Sequence, residues 1–212
     1  MLEFISRRRP NDNGLPQHPD VRDFPNPFLK AALELFKERG GKTIIEIGSM
    51  RRELTHHIDE LNVDCCMDGH SSLILAREAK EFWSIDVSQG ATDITNNELR
   101  KAGLLTNTIK AVNGDGLEFL RKYDFPIDLL FLDAWDVDLP DSPEKHLEAY
   151  EIAKKNLTST SLILIDDTDV DRVNGQVVFA DGLSGKGKLV IPKAIADGWR
   201  VVFSGRQTLL SR

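Results

Sequence analysis

Hydrophobic residues in this chain occur in short uninterrupted runs, separated by longer stretches in which apolar positions recur every three or four residues. Short apolar runs bounded by turn residues are typical of strands buried on both faces, whereas the spaced pattern predicts amphipathic helices. The predicted strands are 42–48, 81–87, 108–112, 127–133 and 161–165. The predicted helices are 27–39, 71–80, 96–102, 117–122, 142–157 and 192–196.

The C-terminal segment predicts a different arrangement. The sequences WRVVFSG (199–205) and QTLLSR (207–212) are two apolar runs with little between them, which favours an antiparallel hairpin. Strand–helix steps followed by this hairpin predict a Rossmann-like, doubly wound α/β fold. Its sheet should be mostly parallel and seven-stranded, with a C-terminal antiparallel strand and helices on both faces.

The domain organisation follows from where these patterns stop. The polar residues 1–24 contain three of the nine prolines and no periodicity, so we expect a flexible N-terminal arm. Residues 25–212 should form a single domain, since 212 residues are too few for two full α/β domains. An insertion at about 49–68 is too long for a tight strand-to-helix turn, and residues 167–187 are expected to be a loop.

Composition excludes several classes of partner. The net charge is −7, which argues against nucleic-acid or anionic-membrane binding. No apolar stretch approaches the ~20 residues of a spanning helix, and the N-terminus lacks a signal-peptide core, so we expect a cytoplasmic protein without a membrane partner. Adjacent Cys65 and Cys66 and five histidines form no zinc-ligand pattern. A homodimer is left open.

Carboxylates follow two of the predicted strands. IDLLFLDAWD (127–136) and SLILIDD (161–167) place Asp133, Asp166 and Asp167 together at the carboxyl end of the sheet, where ligands of open α/β sheets bind. Three converging carboxylates repel one another unless a positive charge neutralises them, and a divalent cation with oxygen ligands would do so. The ordinary alternative is that these acids cap turns. We call Asp133, Asp166 and Asp167 the acidic rim.

The first half of the chain carries candidate cofactor residues. Gly48, Ser71 and Ser72 are a strand-ending glycine and two serines at a helix start, a combination that suits an anionic group. Asp86 ends the second strand, where a carboxylate can bind ribose hydroxyls, and Asp115 follows the third, where it can accept from an adenine amine. Such an arrangement fits any nucleoside-containing cofactor. Equally, the glycines could be simple turns and Asp115 a helix cap.

Taken together, these motifs resemble the class I S-adenosylmethionine-dependent methyltransferases. EIG (46–48) and GHSSLILA (69–76) look like two halves of the family's first motif, and GDGLEFL (114–120) looks like its adenine-side motif. The resemblance implies S-adenosylmethionine as cofactor. It implies that Glu46 orients the first turn, and that Gly48 lets the backbone approach the methionine moiety.

The remaining cofactor residues follow by the same resemblance. Ser71 and Ser72 belong to the second half of the first motif, and Asp86 corresponds to the family's ribose-binding acid. Asp115 and Gly116 lie in the adenine-side motif.

A narrower resemblance concerns the acidic rim. FLDAWD (131–136) and LIDD (164–167) look like the metal-binding segments of the divalent-metal-dependent, catechol-type O-methyltransferases. This implies that Asp133, Asp166 and Asp167 bind a divalent metal, Mg²⁺ being expected, and that the substrate is a small hydroxylated molecule. Asp133 would also be catalytic. Asp136 stands where that family has a lysine general base, so it is the candidate base if neighbouring acids raise its pKa.

Two other functions compete with this interpretation. A nicotinamide-dependent oxidoreductase could use a similar sheet, but Ser49, Met50 and Arg51 replace the glycines needed beneath a pyrophosphate. A non-catalytic relative could bind a cofactor or a partner. His146 is expected to have a surface or packing role. Lys186 and Lys188 are expected to be solvated, the alternative being that they reach the active-site rim as contacts for a substrate anion.

Overall fold

A computed structural model of the protein describes residues 27–54, 70–174, 176–180 and 183–212. The helices in these ranges are α1 Pro27–Glu38, α2 His70–Glu78, α3 Gln89–Lys101, α4 Gly116–Lys122, α5 Ser142–Ala153 and α6 Val190–Ala196. The strands are β1 Thr43–Ile47, β2 Glu81–Asp86, β3 Ile109–Asn113, β4 Ile127–Leu132, β5 Leu157–Ile165, β6 Val170–Val173, β7 Gln176–Phe179, β8 Arg200–Phe203 and β9 Thr208–Ser211. No helix of the described residues is both long and apolar enough to cross a membrane.

Seven of the strands form one sheet in the order β3-β2-β1-β4-β5-β9-β8. The pairs among β3, β2, β1, β4 and β5 are all parallel, and β9 is antiparallel to both β5 and β8. This is the doubly wound sheet with a reversed C-terminal strand that the sequence predicts. Strands β1 and β4 lie side by side in the middle of the sheet, and the strand order reverses between them, which opens a crevice at their carboxyl ends.

The sheet is covered on both faces, as uninterrupted apolar strands require. All five residues of β1 are buried. On one face Ile45 and Ile47 join a core formed with α4, α5 and α6, and on the other Ile44 joins a core formed with α1, α2 and α3. The two cores hold the carboxyl ends of β1, β4 and β5 in register.

Several boundaries differ from the prediction. Helix α3 begins at Gln89, seven residues earlier than expected, because Ser88 caps it by accepting a hydrogen bond from the Ala91 N–H at 3.3 Å. Strand β5 begins at Leu157, after a 3₁₀ turn that ends the preceding helix. Residues 167–187, expected to be a loop, contain the antiparallel β6–β7 hairpin and a 3₁₀ turn at Gly185–Gly187.

Some sequence predictions fall outside the described residues. These are the N-terminal arm 1–24 and residues 55–68 of the insertion, which include His56, His57 and the cysteine pair. They remain predictions.

Candidate active site

The turn after β1 packs directly against the end of β4. Gly48 has φ +108°, and its N–H donates to the Ile85 carbonyl at 2.8 Å. A Cβ at this position would lie 2.9 Å from the carbonyl oxygen of Asp133, closer than side chains tolerate. Glycine is therefore required both for the conformation and for the approach of the two backbones.

Glu46 lies beneath this turn with 1% of its surface exposed. The hydroxyls of Ser71, Ser72 and Ser84 donate to its carboxylate at 3.0, 2.6 and 2.6 Å. Burial raises the pKa of Glu46 to about 7, although the three serine hydrogen bonds oppose the shift. Glu46 and the equally buried Ser72 thus join β1, α2 and β2. Their side chains position the turn, and their assignment as cofactor-binding residues stays a prediction.

Asp86 lies half-buried at the end of β2 and is bonded to the same turn. One carboxylate oxygen accepts from the Ser49 N–H at 3.0 Å, and the other accepts from the Ser88 N–H at 2.8 Å. Each carboxylate oxygen keeps a further lone pair for a ligand hydroxyl. Val87 follows with 74% of its surface exposed, which places an apolar face beside this carboxylate.

Asp115 and Gly116 lie at the start of α4. Asp115 is exposed and caps the helix by accepting from the Glu118 N–H at 3.0 Å. Gly116 is buried, and a Cβ there would lie 2.6 Å from Cγ2 of Ile47. Asp115 therefore has the capping role that was the ordinary alternative for it, and Gly116 is required for packing against β1.

The acidic rim forms as predicted from the ends of β4 and β5. The Asp133 N–H donates to the Ile47 carbonyl at 2.9 Å, and the Asp166 N–H donates to the Leu132 carbonyl at 3.1 Å. Each acid of the rim offers one carboxylate oxygen, and these oxygens lie within 4.8 Å of one another. Asp167 adopts φ +46°, a conformation that is costly for a residue with a side chain.

Lys186, expected in solvent from the sequence, lies within this rim. Lys186 is 1% exposed, and its Nζ is 2.8 Å from Oδ1 of Asp133 and 3.1 Å from Oδ2 of Asp167. The expectation that Lys186 is solvated is therefore wrong, and the alternative, that it reaches the rim, is the one observed. Lys188 is exposed, as expected, and pairs with Asp171 at 3.1 Å. The glycines at 185 and 187 were the one sequence signal that could have distinguished the two lysines.

Two further residues reach the rim from the turn between β8 and β9. An Arg206 nitrogen lies 3.7 Å from the carboxylates of both Asp166 and Asp167. The Gln207 amide donates to Asp166 at 2.8 Å. Sequence reasoning missed both residues because about 40 positions separate them from the acids they contact.

The charges of the rim are nearly balanced by these neighbours. Burial and the charge of Asp133 raise the pKa of Asp166. Burial alone would lower the pKa of Lys186, but the carboxylates of Asp133, Asp167 and Asp166 outweigh it and raise that pKa above its usual range. Lys186 is therefore a permanent cation inside the site and cannot act as a base.

Asp136 has an environment opposite to the one a general base needs. Two Arg51 nitrogens donate to its carboxylate oxygens at 2.9 and 3.0 Å. This pairing holds the pKa of Asp136 below its usual range, whereas the predicted base required a raised pKa. The pair connects the β4 end to the segment after β1, which indicates a positioning role.

Trp135 and His146 form the wall beside the rim. Trp135 has φ +47°, and its ring meets the fully buried His146 edge-on, with centroids 5.2 Å apart. Nδ1 of His146 lies 2.7 Å from the Ser142 carbonyl. Burial, aided by the charge of Lys186, lowers the pKa of His146 to about 3, so the imidazole stays neutral. His146 has the packing role expected of it.

The carboxylates of the rim are suitable ligands for a divalent metal ion, but the neighbouring Lys186 is not compatible with one. Three carboxylates suit a hard cation. However, the Lys186 ammonium already binds two of them, and a metal ion sharing those carboxylates would be held against a like charge. The residues present therefore do not fit a metal ion as long as Lys186 stays in place.

No protein-family model and no curated protein matches the chain. Among solved structures, it is similar to the O-methyltransferase from Bacillus cereus in complex with S-adenosylhomocysteine, with TM-score 0.56 and 19% identity over 91% of this chain and 84% of that one. It is also similar to the S-adenosylhomocysteine-bound methyltransferase from Podospora anserina, with TM-score 0.54 and 16% identity over 85% and 76% of the two chains. A methyltransferase from Geobacter sulfurreducens gives TM-score 0.53 and 13% identity over 87% and 77%. At these identities the comparisons show a shared fold, the Rossmann-like methyltransferase fold.

Proposed function

We propose that the protein is an S-adenosylmethionine-dependent methyltransferase that methylates a hydroxyl group of a small molecule. The main support for the proposal is the turn at Gly48 and Ser49, which lies between the carboxylates of Asp86 and Asp133. Ser49 donates to Asp86 on the cofactor side, and neighbouring Gly48 packs against the Asp133 backbone on the acceptor side. Two neighbours of the same fold bind S-adenosylhomocysteine, and one of them is an O-methyltransferase, which supports this choice of cofactor and reaction.

On the cofactor side, three groups suit an adenosine. Asp86 can accept hydrogen bonds from ribose hydroxyls, and the exposed Val87 offers an apolar surface to a purine ring. Asp115, exposed beyond the end of the neighbouring β3, can accept from the exocyclic amine with its second oxygen. The buried Glu46 and the serine hydroxyls bonded to it hold the turn after β1 in place.

On the acceptor side, Asp133 is the residue placed to orient the substrate. A third of its side chain is exposed, beside the Gly48 turn. S-adenosylmethionine, when bound, supplies a methyl group that forms a bond to the acceptor oxygen as its bond to sulfur breaks, leaving a neutral thioether. Asp133 can accept a hydrogen bond from the acceptor hydroxyl and align it with this methyl carbon, and the proton that the hydroxyl loses passes to water at the exposed side of the rim. The predicted Mg²⁺ is not part of this proposal, because Lys186 lies among its candidate ligands.

Thermal shift with S-adenosylhomocysteine tests the cofactor assignment. A ligand that binds the native state raises the melting temperature by an amount that grows with the logarithm of its excess over Kd. We expect a rise with S-adenosylhomocysteine and none with NAD⁺ or NADP⁺. Asp86→Asn keeps the shape and one acceptor oxygen and should weaken binding at least tenfold. The matched control Asp93→Asn, an exposed acid on α3, should leave binding unchanged.

The alternatives predict other outcomes. Stabilisation by a nicotinamide dinucleotide alone would overturn the proposal in favour of an oxidoreductase. If neither ligand stabilises the protein, the non-catalytic interpretation replaces it.

A further inference from the structure

We propose that Lys186 takes the place of a divalent metal ion at the acidic rim, so that methyl transfer by this protein needs no metal. The part of the proposal that concerns catalysis rests on the proposed function. The part that concerns cation binding does not, because it follows from the charges and contacts of the rim alone.

The ammonium group of Lys186 is surrounded by oxygen atoms of the protein. It carries three N–H donors, and three oxygens surround it: Oδ1 of Asp133 at 2.8 Å, Oδ2 of Asp167 at 3.1 Å and the Asp133 carbonyl at 3.3 Å. With 1% of its surface exposed, the side chain has no competing interaction with bulk water. Lys186 thus provides, between two carboxylates and a carbonyl, the positive charge that a metal ion would otherwise provide.

The backbone around Lys186 is built to bring it there. Gly185 has φ +49°, and a Cβ on it would overlap the carbonyl oxygens of Asp167 and Val170. The Lys186 N–H donates to the Asp167 carbonyl at 3.3 Å, and the Ser184 N–H donates to the Thr168 carbonyl at 2.9 Å. The lysine is thus anchored to the end of β5 by main-chain contacts on both sides of Gly185. It is not a surface side chain that has folded inward.

The charge balance of the rim points the same way. Three carboxyl groups face two cations, Lys186 and Arg206, so the rim lacks at most one positive charge. A divalent ion added to this arrangement would turn the deficit into an excess of positive charge. Without Lys186, two negative charges would remain uncompensated, and these are what a divalent ion would neutralise. The lysine and the metal are therefore alternatives.

The burial of Lys186 restricts how the methyl-accepting substrate can bind at the rim. Asp133 and Asp167 have 33% and 26% of their side chains exposed, whereas Lys186 is enclosed, so a substrate meets carboxylate oxygens and no open cation. Such oxygens accept hydrogen bonds from a single hydroxyl. The two adjacent hydroxyls that chelation of a metal demands are not needed.

Manganese titration of chelator-treated protein tests the inference. Lys186→Met keeps most of the side-chain volume and removes the charge, and Lys188→Met is the matched control, an exposed lysine two residues away. Wild type and Lys188→Met should show no calorimetric Mn²⁺ binding at millimolar concentration and no change in melting temperature with Mg²⁺ or Mn²⁺. Lys186→Met should bind Mn²⁺ at least tenfold more tightly than wild type and should be stabilised by it.

Two results would overturn the proposal. One is tight Mn²⁺ binding by wild type that is lost in Asp133→Asn, and the other is a folded Lys186→Met that gains no affinity for Mn²⁺. S-adenosylhomocysteine titration of the same samples reports the proposed function separately, so either failure can be recognised alone.

A double-mutant cycle covers the case in which Lys186→Met is too unstable for metal titration, and a folded double variant beside an unfolded Lys186→Met would show the same coupling. Urea denaturation of Asp133→Asn, Lys186→Met and the double variant should show coupling, with Asp133→Asn restoring stability once the lysine charge is absent. Strictly additive losses would show that Lys186 does not neutralise Asp133.

Discussion

Gly185 lies against Asp167 so closely that any side chain at position 185 would overlap the Asp167 carbonyl oxygen. This contact joins the 3₁₀ turn at Gly185–Gly187 to the end of β5, and it sets the depth to which Lys186 enters the acidic rim. The position of a cation in the site therefore depends on a residue that has no side chain.

Gly185→Ala should destabilise the protein more than an ordinary glycine substitution. The new Cβ must push apart the Asp167 and Val170 carbonyls, and the residue must also keep φ +49°. We expect a loss of roughly 3 kcal/mol or more in the free energy of unfolding, measured by urea denaturation. Gly198→Ala is the matched control, because Gly198 has φ +90° but no atom within 4 Å of its Cβ position. Equal losses in the two variants would show that the contact at Gly185 does not matter.

Glu46 should make stability depend on pH. Its pKa is about 7 in the folded protein against an ordinary value of 4.5, so the folded state holds a proton that the unfolded state releases between these values. Its contribution is therefore fully present below pH 4.5 and is lost as pH rises towards and through 7, by up to about 3 kcal/mol. Glu46→Gln, which stays neutral, should remove this part of the slope when the free energy of unfolding is measured from pH 5 to pH 8.

The control for that experiment is Glu34→Gln, a change of an exposed carboxyl group on α1. It should leave the difference between pH 5 and pH 8 as in wild type. A Glu46→Gln protein with the wild-type slope would place the titrating group elsewhere.

Asp136→Asn should reduce methyl transfer less than tenfold. Arg51 keeps the pKa of Asp136 low, and asparagine retains one acceptor for the same arginine, so the pH–rate profile should keep its shape. Asp133→Asn should cost more than a hundredfold, because Asp133 contacts both the Gly48 turn and Lys186. A loss beyond a hundredfold in Asp136→Asn, together with a displaced acidic limb, would restore Asp136 as the general base.

The strands of the main sheet and the location of the site could be predicted from sequence because they depend on local pattern. Apolar runs such as Ile127–Leu132 bury on both faces in any parallel sheet, and the acids that follow them must then lie at one end of it. The β6–β7 hairpin was missed because its two four-residue strands, flanked by polar residues, resemble a loop.

The chemistry of the site depended on contacts between residues far apart in the chain. The sequence shows that Asp136 is an acid but not in which direction its pKa shifts. Arg51, 85 positions away in the chain, lowers that pKa by donating hydrogen bonds to the carboxylate. Lys186 reads as a solvated loop lysine, and its burial depends on main-chain contacts between its loop and the end of β5. Hydrophobic periodicity shows which face of a helix or strand is buried. It does not show which charged residue, distant in the chain, will contact that element.

The sequence by itself therefore determined the doubly wound sheet, the reversed last strand and the three carboxylates at the end of β4 and β5, since all of these follow from short-range hydrophobic pattern and strand polarity. Only the tertiary structure decided what neutralises those carboxylates. Coulomb interactions depend on distance in space and not on separation along the chain. Asp133 and Lys186 are 53 residues apart in the sequence, yet the fold places a carboxylate oxygen and the ammonium nitrogen 2.8 Å apart.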